Sequence, residues 1–138
     1  FKRKPKTSKG NELKDKTSIL FVDDEPFDYI ERIRAAGWNA HQVSDIENLD
    51  DDHLKRAHIV FLDYVGVGKK LAPTQQGIGL LKAIKQKYPQ KILIFYSGHA
   101  GFTLGHEFKA ADDWMPKNAD PYVFLQKFEE HAQKINFG

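Results

Sequence analysis

Read for apolar and polar positions, the chain changes character at residue 17. Beyond it, short apolar runs alternate with stretches whose apolar residues recur every three or four positions. Five of the runs are predicted as strands: Ser18 to Val22 (SILFV), Asn39 to Val43 (NAHQV), His58 to Leu62 (HIVFL), Lys91 to Tyr96 (KILIFY) and Asp112 to Met115 (DDWM). Three of them are near-continuous rather than alternating, the pattern of strands buried on both faces of a parallel sheet. The gaps carry helical spacing. The third predicted helix, opened by Gly77, places Leu80, Leu81, Ile84 and Tyr88 on one stripe, and the last places Phe124, Leu125, Phe128, Ala132 and Ile135 on another. Asp120 followed by Pro121 reads as an N-cap and first-turn proline. Strand then helix, five times over, calls for right-handed parallel crossovers, and hence an α/β fold with an open, doubly wound five-stranded sheet.

Length and composition narrow this picture. At 138 residues the chain holds one domain, and its hydrophobic fraction of 41% is enough for a core. There is no cysteine, which removes disulfides, thiolate metal sites and a thiol nucleophile together. No run approaches the roughly 18 apolar residues of a membrane span, and no signal-peptide core is visible, so the expected location is cytoplasmic. Phe1 in place of an initiator Met reads as a trimmed or excised chain.

The net charge of +2 hides an asymmetry. Residues 1–16 hold seven basic and two acidic side chains, which is +5, and the remainder carries −3. The expected division is a basic flexible tail or linker over 1–16 and a single domain over 17–138. A nucleic-acid arm is the sharper reading of the tail, but Phe1 is its one aromatic, so a solvated linker is preferred.

Doubly wound sheets bind ligands at the carboxyl ends of their strands. There the first predicted strand carries Asp23-Asp24-Glu25, the third Asp63, the fourth Ser97-Gly98 and the fifth, after Pro116, Lys117. Each alone is unremarkable: an acid after a strand often caps the next helix, and Pro26 is placed to start one. Together, an acidic pair, an acid, a hydroxyl and a lysine in this order form a chemical set.

This set, in the segments ILFVDDEP (19–26), IVFLD (59–63), ILIFYSG (92–98) and ADDWMPK (111–117), resembles the receiver domain of two-component response regulators. The resemblance covers about residues 17–135 and implies a flavodoxin-like parallel sheet in the order 2-1-3-4-5. It also implies that Asp63 accepts a phosphoryl group from a histidine kinase or phosphotransfer protein. Strands 1 and 3 would then be neighbours about 4.8 Å apart, bringing three carboxylates to one edge, where a hard cation would offset their repulsion. The resemblance implies Mg²⁺ on Asp24 and Asp63 directly, on Asp23 largely through water, and on the carbonyl of Val65. Ser97, Gly98 and Lys117 would bind the phosphoryl oxygens, and Ser97 with Trp114 would form the switch. An output domain or partner protein would dock on the face of the fourth helix, fifth strand and fifth helix; neither nucleic acid nor membrane is implied for the domain itself.

The chain departs from the family at several points. Asn118 follows the lysine where a proline is usual, Trp114 replaces the usual Tyr or Phe, and residues 64–76 form a longer, basic loop expected to be mobile. The first helix (26–36) and the fourth (101–110) are short, and His99 lies two residues after Ser97. His41, His53, His58, His106 and His131 show no metal spacing. Three readings compete, in this order: an active phosphoacceptor; a receiver-shaped interaction module that is not phosphorylated; and a Mg²⁺-dependent phosphatase of the haloacid dehalogenase type, whose Asp-x-Asp pattern Asp23-Asp24-Glu25 does not match.

Overall fold

Side chains alternate faces along a strand, and in this protein both faces are apolar. The computed structural model describes residues 9–64, 66–98 and 109–137. Among them lie strands β1 (Ser18–Val22), β2 (Asn39–Val43), β3 (Ile59–Asp63), β4 (Ile92–Ser97) and β5 (Asp113–Pro116). The helices are α1 (Lys9–Lys16), α2 (Ile30–Ala35), α3 (Asp52–Arg56), α4 (Gly77–Lys87) and α5 (Pro121–Ala132). The strands form one parallel sheet in the order β2-β1-β3-β4-β5, as the pattern and the resemblance led us to expect.

Alternation divides the core in two. Ile19, Phe21, Ile59, Phe61, Ile94 and Tyr96 face one cluster, completed by Phe27, Ile33, Phe124 and Phe128. Leu20, Val22, Val60, Leu62, Leu93 and Phe95 face the other, against Leu54, Leu80, Leu81 and Ile84. The first cluster is aromatic, with Phe21 stacked on Phe61 at 4.7 Å between ring centroids. Burying a large apolar side chain contributes about 1.5–3 kcal/mol, so these two layers hold the strand ends in fixed register.

Several boundaries differ from expectation. The third, fourth and fifth strands each begin and end one residue later than predicted, at Ile59–Asp63, Ile92–Ser97 and Asp113–Pro116. His58 stands just ahead of β3 yet still bonds through its backbone, its N–H to the Ser18 carbonyl and its carbonyl to Ile92 N–H, each at 2.9 Å, while its Nδ1 accepts from Ser18 N–H at 3.0 Å. Lys91, just ahead of β4, donates from Nζ to the carbonyls of Lys55 and Ala57 at the end of α3. Pro26 does not open a helix. Phe27 is instead drawn into the aromatic cluster, with its N–H donating to Gln42 Oε1 at 3.1 Å, and α2 starts only at Ile30. Asp120 stands at the N-cap of α5 but its side chain makes no cap hydrogen bond.

The tail expectation also changes: Lys9–Lys16 is helical, Leu13 packs on the aromatic cluster, and Lys14 Nζ donates to the Ala36 carbonyl at 2.9 Å. One apolar residue in a basic segment gives no periodic signal, so only docking reveals this helix. The rest of the tail, Val65, His99, His106 and the expected fourth helix up to residue 108 lie outside the described residues. No described helix is long and apolar enough to cross a membrane.

Candidate functional site

The parallel register carries the chain's acids to one edge. β1 pairs with β3 through Val22 and Leu62, so the residues that follow, Asp23 and Asp63, leave the sheet side by side. Asp63 is itself paired with Tyr96 of β4, and Ser97 with Pro116 of β5, which delivers Lys117 to the same edge. Lys117 then spans the gap: its Nζ lies 2.9 Å from Asp23 Oδ2 and 3.1 Å from Asp63 Oδ2. Asn118 in place of the usual proline does not prevent this reach.

Asp23 is nearly inaccessible, 2% exposed, and fully engaged. Its Oδ1 accepts from Glu25 N–H at 3.0 Å, and its Oδ2 accepts from the Tyr96 hydroxyl at 2.8 Å as well as from Lys117. Burial alone would raise its pKa, but the hydrogen bonds from Lys117, the Glu25 amide and Tyr96 outweigh burial and hold it below the ordinary value. Asp63 moves the other way. Burial and the neighbouring Asp23 charge raise its pKa despite Lys117. Lys117 is stabilised as the ammonium: burial opposes the charge, but two carboxylates more than offset that and raise its pKa. Burial, then the charge of Asp23, pushes the Tyr96 hydroxyl far up, so it stays a donor.

Among the described ion pairs Asp24 is joined to Lys69 rather than to this lysine, and it is exposed. Oxygens of Asp23, Asp24 and Asp63 nevertheless lie within 4.8 Å of one another. Three carboxylates against the ammonium of Lys117 and that of Lys69, 4.0 Å from Asp24, still leave a residual negative charge at a cluster of hard oxygen donors, a set that suits Mg²⁺. Ser97 is buried at the same edge, and its carbonyl accepts from Lys117 N–H at 2.8 Å. A Cβ built on Gly98 would meet nothing within 4 Å, so the space beside it is open; Gly98, Lys117, Asn118, Phe27, Asp28 and Tyr29 line a shallow pocket of about 260 Å³ there. Trp114 is 43% exposed on β5.

The described part of the long, basic 64–76 loop, residues 66–76, makes specific contacts with the rest of the domain. Val67 is fully buried, Asp45 accepts from the N–H groups of Gly68 and Lys69 at 2.6 and 3.2 Å, and Lys70 pairs with Glu47 at 3.2 Å. Gly66 lies so close to Asp24 that an added Cβ would sit 2.6 Å from its carboxylate oxygens.

Sequence reasoning missed two participants. Tyr96 reads as the end of an apolar strand, and its position directly before Ser97 is the one signal available. His131 has no metal spacing in sequence, yet it meets Asp113 at 2.8 Å, and Asp113, Glu130 and His131 form a second group of ligand-type atoms. Lys127 Nζ, 2.8 Å from Asp113, occupies that carboxylate and makes the group a tie between α5 and β5.

No protein-family model matches the chain. No curated protein matches it either. Solved structures do. A response regulator from Thermotoga maritima superposes with a TM-score of 0.67 at 17% identity, over 85% of this chain and 98% of that one. A CheY-like response regulator receiver domain protein from Methanospirillum hungatei JF-1 gives 0.64 at 19%, over 86% and 94%. A putative two-component system response regulator with a GGDEF domain gives 0.70 at 18%, over 91% of this chain and 52% of that chain. At these identities the likeness is one of fold: the chain has the fold of response-regulator receiver domains.

Proposed function

We propose that this chain is the phosphoacceptor receiver domain of a response regulator, switched by a histidine kinase or phosphotransfer protein in a phosphorelay. The observation that carries the reading is Lys117 bridging Asp23 and Asp63 at 2.9 and 3.1 Å, with Asp24 completing the carboxylate cluster. In it, Lys117 holds Oδ2 of Asp63 while the other carboxylate oxygen attacks phosphorus. The P–N bond of the donor phosphohistidine breaks, its imidazole leaves with the electron pair and takes up a proton, and Asp63 becomes an acyl phosphate. Phosphoryl transfer needs positioning and charge stabilisation more than acid–base chemistry, and the carboxylates and Lys117 of this site are suited to both. Asp24 and Asp63 would hold Mg²⁺ directly, Asp23 largely through water, with the carbonyl of Val65, and the ion would supply charge that offsets the phosphoryl oxygens. Ser97 and Gly98 take up those oxygens with Lys117, and Trp114 responds as the switch aromatic.

The domain acts as a signalling element rather than a turnover enzyme, and the reading places it in the cytoplasm. Its output partner docks on the side of β5 and α5, where Trp114 and Tyr122 stand 43% and 59% exposed. One observation favours the second reading, an interaction module that is not phosphorylated: Gly66 and Lys69 crowd Asp24. The phosphatase reading fits poorly, because its first-strand nucleophile would be Asp23, which is buried and engaged by three donors.

Incubation with Mg²⁺ and phosphoramidate, followed by intact mass measurement, tests the reading. The expected result is one added phosphoryl group that requires Mg²⁺ and is lost in Asp63→Asn. No uptake by the unmodified protein, under conditions that label another receiver domain, would move the assignment to the interaction module.

A further inference from the structure

Among the ion pairs of the described residues, Asp24 is joined not to Lys117 but to Lys69, whose Nζ lies 4.0 Å from Asp24 Oδ2. Lys69 is not placed there by its own flexible side chain alone. Its backbone N–H is held by Asp45 Oδ2 at 3.2 Å, and that of Gly68 by Asp45 Oδ1 at 2.6 Å. On the other side, Gly66 N–H donates to Gln76 Oε1 at 3.0 Å, Val67 is buried, and Gly68 O accepts from Ala72 N–H at 2.8 Å. Gly66, Gly68 and Gln76 all take positive φ, at 90°, 73° and 49°, so the segment has a specific backbone shape. The result is a strap tied across the β1 side of the carboxylate cluster, carrying a lysine beside the one acid that Lys117 leaves unpaired.

Charge counting gives the strap a consequence. Three carboxylates, the Lys117 ammonium and one divalent cation sum to neutrality, so the Lys69 ammonium is then one positive charge in excess. When a doubly negative phosphoryl group arrives, that excess becomes favourable. We infer that Lys69 is a positioning residue that sets cation occupancy of the cluster: latched by Asp45 beside Asp24, its ammonium competes with a divalent cation for that carboxylate. This inference rests on the phosphoacceptor reading and its Mg²⁺ site, and it assigns to the unusually long 64–76 loop the task of weakening cation binding until a phosphoryl group is present.

Calorimetric titration of the full chain with MgCl₂ tests it. An exposed charge near a bound divalent cation acts over a few ångströms in partly screened solvent, so Lys69→Gln is expected to tighten Mg²⁺ binding about three- to tenfold. Lys69→Arg is expected to keep the weak affinity of the parent. Lys70→Gln makes the same charge change one residue away, on a side chain paired with Glu47, and is expected to shift affinity less than twofold. Equal tightening in Lys69→Gln and Lys70→Gln, or no tightening in Lys69→Gln, overturns the inference while leaving the Mg²⁺ site intact. No binding by any of the four proteins overturns both the inference and the metal site on which it rests.

Discussion

Tyr96 converts a lysine shared between two acids into a closed, buried network. Its hydroxyl reaches Asp23 Oδ2 at 2.8 Å, beside Lys117 at 2.9 Å, while the Lys117 ammonium also lies 5.0 Å from the centroid of the tyrosine ring. Asp23 is thereby kept charged out of water by three named donors. Tyr96→Phe removes one of them without opening a large cavity. Because a hydrogen bond to a charged group contributes about 1.5–3 kcal/mol, urea unfolding of Tyr96→Phe should show a loss of about 1–2 kcal/mol at neutral pH. An unchanged midpoint would mean that Tyr96 is a packing residue only. The acids and the lysine were legible in the sequence because each directly follows an apolar run, where a parallel sheet collects them. Tyr96 was not, because nothing in KILIFYS separates a tyrosine that packs from one that also donates; its role depends on Asp23, 73 positions away.

At the scale of elements, all five strands were legible to within one residue, the three with near-continuous apolar runs most directly. The short helices were not. α2 has six residues and α3 five, too few for periodicity to fix their ends, so Phe27 and Asp51 decide them by tertiary contact and capping. The one-residue shift at β3 has a measurable consequence. His58, directly ahead of the strand, accepts from Ser18 N–H through Nδ1 while its own N–H donates to the Ser18 carbonyl, and so couples the starts of β1 and β3. Burial first, and then the Lys91 charge, lowers its pKa below the ordinary 6.5. The neutral ring is the form that accepts, so its contribution is present above pH 6.5 and is lost as pH falls below 6.5 through the depressed folded-state value. Urea midpoints should therefore fall between pH 7 and pH 5, about, and His58→Asn, which keeps an acceptor without titrating, should flatten that fall. An identical pH profile in the variant would assign the dependence to other groups.

For the whole molecule, the charge asymmetry read from the sequence takes on a spatial meaning. Three of the acids that make residues 17–138 net negative converge at the carboxyl edge of the sheet, although they lie between positions 23 and 63 and their lysine at 117. Part of the basic leader becomes α1, docked on the aromatic cluster rather than extending from it. The order 2-1-3-4-5 was legible through family resemblance, and the apolar runs required a parallel sheet independently. The strap was legible only as an insertion, since its hydrogen bonds to Asp45 and Glu47 join segments more than 20 positions apart.

The central claim is that Asp63, and not Asp23 or Asp24, takes the phosphoryl group. Reductive trapping with borohydride after incubation with phosphoramidate and Mg²⁺, followed by peptide mapping by mass spectrometry, tests it most directly, because an acyl phosphate is reduced where it forms. The account predicts reduction at position 63 and at neither 23 nor 24. Reduction at position 23, or no reduced aspartate in a protein that has bound Mg²⁺, would contradict it.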